Sequence, residues 1–173
     1  MKMVGKPICA VDVETSGLFP SNGDRVIECA AVIIKNREIH SEFHTLINAP
    51  CKIKHDAHRI HGITQQMLLS APSPGEAWSV FSKFIGDLPL LAHNAQFDQG
   101  FIRCEFLRLG LRISNHFTCT LARARKRFPS LPNHRLETVA RHVLGKIPKE
   151  CQLHRALGDA RLVARVWMDM EEM

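Results

Sequence analysis

The chain has 173 residues, 45% of them hydrophobic and 23% charged, which fits one domain (1–173) with a sizeable core and excludes a disordered chain. Its 23 Lys and Arg outnumber 17 Asp and Glu for a formal net charge of +6, so an anionic partner such as nucleic acid is favoured. No stretch approaches membrane-spanning length, no apolar leader opens the chain, and the six cysteines form no CxxC pair, so a cytoplasmic protein in a reducing compartment is expected, with no membrane partner.

The first element is an apolar, β-branched run from Pro7 to Glu14 that predicts a central strand buried on both faces. It ends in two carboxylates, Asp12 and Glu14, which point the same way roughly 7 Å apart because strand side chains alternate. Two readings stand at this point: both acids are solvated in a polar turn, or a divalent metal sits between them. A second strand is predicted over 25–34, a turn at Lys35-Asn36-Arg37, and a third strand through Ile39, Phe43 and Leu46. After a polar, His-rich stretch over 55–61, Thr64 caps a short helix to Leu69. Ser73-Pro74-Gly75-Glu76 forms a capping box opening a helix that Gly86 ends. A short buried strand over 88–92 leads to Asn94, the expected N-cap of a helix ended by Gly110. A fifth strand passing into a helix is expected over 116–121, an amphipathic helix from Leu136 to Leu144, and a last helix over 156–170. Three strands followed by strands alternating with helices imply an α/β fold. The expected sheet is mixed and five-stranded, an antiparallel N-terminal meander and then parallel strands, with helices on both faces.

Two further acids fall at helix starts, Asp98 and Asp159, where the helix dipole alone would favour them. As a set with Asp12 and Glu14, each at the end of a strand or the start of a helix, they could hold two metals for an in-line phosphoryl displacement. His154 precedes Asp159 by five positions, too many to stack on one helix face, and is expected just before the helix on its loop side. A histidine there can take a proton from water near neutral pH.

Asp12-Val13-Glu14-Thr15-Ser16-Gly17-Leu18, His93-Asn94-Ala95-Gln96-Phe97-Asp98 and His154-Arg155-Ala156-Leu157-Gly158-Asp159-Ala160 resemble the three motifs of the DEDDh exonucleases, in order and across nearly the whole chain. Ile60-His61-Gly62-Ile63-Thr64 matches a further stretch common in that family. The resemblance implies an RNase H-like fold and a two-metal 3′→5′ exonuclease using Mg2+, with Mn2+ able to substitute. It implies that Asp12 bridges both metals, that Glu14 and Asp159 complete the tighter shell, and that Asp98 supports the second. His154 is the implied general base. Thr15, Ser16, Gly17 and Leu18 would meet the 3′-terminal nucleotide, Asn94 and Phe97 would shape its site, and His61 would approach it or pack its own loop.

The expected substrate is a single-stranded 3′ end, DNA before RNA, releasing nucleoside 5′-monophosphates. An exoribonuclease and a non-catalytic polymerase or nucleic-acid binding module are the alternatives, and an endonuclease on the same fold a third. A polymerase or a second copy of the chain is a further expected partner. The chain ends soon after the last motif, which leads to the expectation of a free-standing enzyme or one held by its surface. The basic segment from Arg123 to Arg135 reads equally as a phosphate contact or a solvated helix face. Glu28, a charge in the middle of the second strand, has no chemical role at this level.

Overall fold

The computed structural model describes residues 6–171. Strand β1 (Ile8–Thr15) pairs antiparallel with β2 (Val26–Lys35), and β2 with β3 (Glu38–Leu46). Their hairpin turns on Asn36 and Arg37, whose φ values of 52° and 65° are the left-handed pair that a tight hairpin requires. Strands β4 (Leu90–Ala92) and β5 (Phe117–Cys119) add in parallel on the other side of β1. Among the described residues the sheet therefore runs β3-β2-β1-β4-β5, mixed and five-stranded, with β1 at its centre.

Alternation along β1 sorts the two cores. Cys9, Val11 and Val13 pack with Trp78 and Phe81 of α3 (Pro74–Ile85) and with Phe101 and Phe106 of α4 (Ala95–Arg108). Ala10, with Ala30, Val32 and Leu91, faces Ala156, Ala160, Val163 and Ala164 of α7 (Ala156–Met170). Alanine on both sides of that second contact lets α7 lie close on the sheet. A third cluster ties α7 through Leu162 and Val166 to Ala124 of α5 (Thr120–Arg127) and to Val139 and Ala140 of α6 (Leu136–Leu144).

One expectation needed correction, and one stretch without an assigned element gained one. The His-rich stretch is a helix, α1 (His55–His61), and the short helix expected after Thr64 follows it as α2 (Gln65–Leu68). Helix α1 has no side-chain N-cap, and His61 is its one buried residue, so no apolar period announced it. Asn94 does precede α4, but with φ 71° and no capping hydrogen bond from its side chain. It serves as a left-handed turn residue, a conformation asparagine tolerates.

Candidate active site

Asp12 and Glu14 lie on the α7 face of β1, the face of Ala10, and α7 presents Asp159 from its first turn. One carboxylate oxygen from each of Asp12, Glu14 and Asp159 falls within 4.8 Å of the other two. The second oxygen of Asp159, Oδ1, is buried without a hydrogen-bond partner. A bare buried carboxylate oxygen beside two more carboxylates fits a cation-binding site. Asp98 reaches the same region from the opposite layer. It is buried, and its Oδ1 accepts the Val13 N–H at 3.2 Å. That donor lies past the end of the β1–β4 ladder, which pairs only Cys9 and Ala10 with β4. Asp98 thus stands at the margin of the cluster rather than among the three closest acids.

The electrostatics run in one direction. Burial, and then the charges of Asp98, Asp159 and Glu14, hold Asp12 well above the usual carboxylate range. Burial pushes Glu14 up to about 8, reinforced by Asp159 and Glu28 and opposed by Arg155. Asp98 rises to about 8, again by burial, against the stabilising Val13 N–H. Asp159 rises to about 6, restrained by the His154 backbone N–H and by the His154 ring. Four acids that resist ionisation together become favourable when a cation joins them.

His154 sits in a turn two residues before α7, exposed, with φ 58°. Its N–H donates to Asp159 Oδ2 at 3.0 Å, closing the turn over the carboxylate. Gly158 permits the turn to fold back, since a Cβ there would lie 1.9 Å from the Gln152 carbonyl oxygen. His154 and Asp159 line a polar groove of about 610 Å³ together with Asn94, Arg125 and Arg135.

A second, apolar pocket of about 290 Å³ has Glu14 in its wall. Leu18, Phe19, Ile60 and Phe97 line it together with Thr15, Gly17 and His61. Leu18 is 65%, Ile60 58% and Phe19 55% exposed, and together they form one apolar wall rather than scattered single side chains. The 16–25 turn carrying them is firmly held. Gly17 has no room for a Cβ, which would sit 2.4 Å from Asp24 Oδ2. That carboxylate accepts the Phe19 N–H and Lys54 Nζ. Arg25 makes a two-point pair with buried Glu105 at 2.8 Å on each arm, joining the turn to α4. Ser16 is buried, with its hydroxyl accepting the Arg25 N–H and its carbonyl the Lys54 N–H. His61 is buried, accepts the Ile63 N–H at Nδ1 and so donates from Nε2 to the Thr15 carbonyl. Burial lowers its pKa and keeps the ring neutral.

The basic segment divides. Arg123 stacks 4.9 Å over Trp167 and pairs with Glu171, which ties α5 to the end of α7. Arg125 and Arg135 are exposed and face the groove. Sequence reasoning missed Phe19, Lys54 and Ile60 as pocket walls, because they come from a turn and a helix without apolar period. It also left Glu28 without a role. Glu28 is fully buried, accepts from Arg155, His44 and the Ala156 N–H, and is held down at about 2: burial would raise it, and those bonds outweigh burial.

Residues 9–167 match the model of the exonuclease family that bears the name RNase T. The chain is 35% identical over 159 residues to a DNA polymerase III subunit epsilon-like protein of Rhodobacter capsulatus, covering 91% of this chain and 22% of that protein. It is 38% identical over 160 residues to the PolC-type DNA polymerase III of Bacillus cereus, covering 92% and 11%. The chain thus spans about a tenth to a fifth of the length of these relatives. Among solved structures, Exonuclease X in complex with 5′-overhanging duplex DNA shares the fold at a TM-score of 0.77 and 24% identity, over 95% of this chain and 91% of that one. So does the nuclease domain of 3′hExo, a DEDDh family member bound to rAMP, at 0.79 and 18% identity, over 96% and 92%. The fold of the chain is that of the RNase H-like DEDDh exonucleases.

Proposed function

The chain belongs to the exonuclease family whose model spans residues 9–167; from this premise we propose that it hydrolyses nucleic acid stepwise from the 3′ end with divalent metal, using Asp12, Glu14, Asp98, Asp159 and His154 as its DEDDh set. The observation that carries the proposal is the meeting of Asp12, Glu14 and Asp159 within 4.8 Å. Those three would hold one cation, and Asp98 would support a second through water. Hard oxygen donors suit Mg2+, with Mn2+ substituting. When bound, such ions lower the pKa of water and neutralise charge on the phosphodiester.

The residues of the chain do the remainder. His154, exposed beside Asp159, takes the proton of the attacking water on its ring. The terminal base enters the apolar pocket and rests on Leu18 and Phe97, with Ile60 at the wall. Thr15, Ser16 and Gly17 hold the backbone that borders the sugar, His61 fixes that backbone from behind, and Asn94 shapes the approach to the groove. Arg125 and Arg135 meet phosphates of the entering strand. DNA is the first substrate, as the relatives named for DNA polymerase III suggest, and RNA the second. The same names favour a bacterial, cytoplasmic setting and a polymerase as partner, and a second copy of the chain is the other candidate. The whole length, 1–173, acts as one exonuclease domain.

The test uses purified protein and matched linear and circular single-stranded DNA. With Mg2+, linear strands should shorten from the 3′ end to 5′-monophosphates, while circles and 3′-blocked strands persist. Cleavage of circles, or undiminished cleavage in EDTA, would overturn the proposal.

A further inference from the structure

Helix α7 delivers both Asp159 and the His154 turn, yet its start is poorly specified by its own sequence. The N-cap position is Arg155, with no side-chain capping bond, where Ser, Thr, Asp or Asn would ordinarily serve. The cap comes instead from a residue 128 positions away. Glu28 Oε2 accepts the Ala156 N–H at 3.0 Å, while Arg155 reaches back to the same carboxylate, with Nη2 2.6 Å from Oε1. His44 of β3 completes the set at 2.7 Å. Glu28 stands directly opposite Glu14 in the β1–β2 ladder, an arrangement of like charges that is unfavourable unless a cation intervenes. The Arg155 guanidinium supplies that cation: it pairs with Glu28, and its charge also attracts Glu14. The ladder also slips by one residue immediately after this pair, so the register at Glu14 has no regular continuation to fix it.

We propose that Glu28 and Arg155 are positioning residues for the metal-binding acids and the His154 turn: a long-range cap and clamp that sets where α7 starts against β1. The inference rests on the exonuclease reading for its kinetic consequence, but not for its metal-binding one. Neither side chain is asked to touch substrate or cation. Loss of the clamp frees the first turn of α7 to shift and draws Asp159 away from Asp12 and Glu14, while the apolar core beneath Ala160 and Val163 keeps the fold.

The experiment compares Glu28→Gln, Arg155→Gln and the double variant with Arg161→Gln, which breaks another ion pair of α7, to Glu42. Two readouts are taken: the Mn2+ concentration giving half of the maximal rise in melting temperature, and kcat and KM on a single-stranded oligonucleotide. Each clamp variant should need at least about tenfold more Mn2+, lose about 10- to 100-fold in kcat with KM changed less than about threefold, and the double should be no worse than the worse single. Arg161→Gln should match wild type in both. Wild-type Mn2+ midpoints in the folded clamp variants, or strictly additive losses, would overturn the proposal. Should Glu28→Gln fail to fold, Arg155→Gln, whose side chain is partly exposed, is judged by the same criteria. A wild-type protein that binds Mn2+ but cuts nothing would sink the exonuclease reading and leave the Mn2+ midpoints to decide the clamp.

Discussion

Replacing Glu14 by Gln removes one charge from a cluster in which four carboxyls lie in each other's field. In EDTA at pH 8 the Glu14→Gln protein should melt above wild type, since repulsion and burial cost fall together; with Mn2+ the order should reverse, as read by scanning fluorimetry. The pH dependence of the metal-free protein follows from the same shifts. Unfolded, these carboxyls titrate near 4. Folded, Asp159 titrates at about 6 and Glu14 and Asp98 at about 8. The folded state therefore holds more protons between those limits, so this contribution to stability is full below about pH 4 and is lost as pH rises through about 6 to 8. Chemical denaturation in EDTA across pH 5 to 8.5 should show that decline, and saturating Mn2+ should flatten it; a metal-free stability that rises across this range would contradict the assignment. His154→Ala should leave the Mn2+-induced rise in melting temperature in place while kcat falls ~10²–10⁴-fold, the usual contribution of a general base. A comparable loss of Mn2+ binding would instead make His154 structural.

At the scale of elements, α7 is the piece on which the site turns. It was legible in the sequence, from its apolar stripe and the carboxylate in its first turn, and so were α3, through the Ser73–Glu76 capping box, and the β1–β3 meander, through its β-branched runs. What was not legible has a common physical reason: it depends on partners remote in the chain. Glu28 reads as an anomaly until Arg155, 127 positions later, is placed beside it. The Val13 N–H gives Asp98 a partner 85 positions away. Helix α1 buries too little to leave a period, yet it supplies a wall of the apolar pocket. Gly158 shows how a small change propagates along the element. Gly158→Ala should displace the first turn of α7 from the Gln152 carbonyl, cost about 1–3 kcal/mol as overpacking does, and abolish the Mn2+-induced stabilisation. Unchanged Mn2+ binding in that variant would mean that the turn tolerates movement without disturbing Asp159.

Over the whole molecule, charge is divided by task. Acids gather at one end of β1, and the net charge of +6 reflects an excess of Lys and Arg elsewhere. Composition favoured an anionic partner but could not say where one would lie, because Arg123 and Arg125 look alike in sequence and only the fold sends one to Trp167 and the other to the groove. Arg125→Ala and Arg135→Ala should each lower the magnitude of the salt slope of oligonucleotide binding by about 0.7, the value for one phosphate contact on a single strand. Arg127→Ala should leave it unchanged. Equal slopes in all three variants and wild type would place the entering strand elsewhere.

The central claim is that the acids at the end of β1 bind the cation that cutting a terminal phosphodiester requires. The most direct measurement follows a linear single-stranded oligonucleotide, labelled at its 5′ end, with wild-type protein and with folded Asp12→Asn protein in Mg2+. Wild type should give a ladder receding from the 3′ end and Asp12→Asn none. A ladder of equal rate from Asp12→Asn would contradict the account.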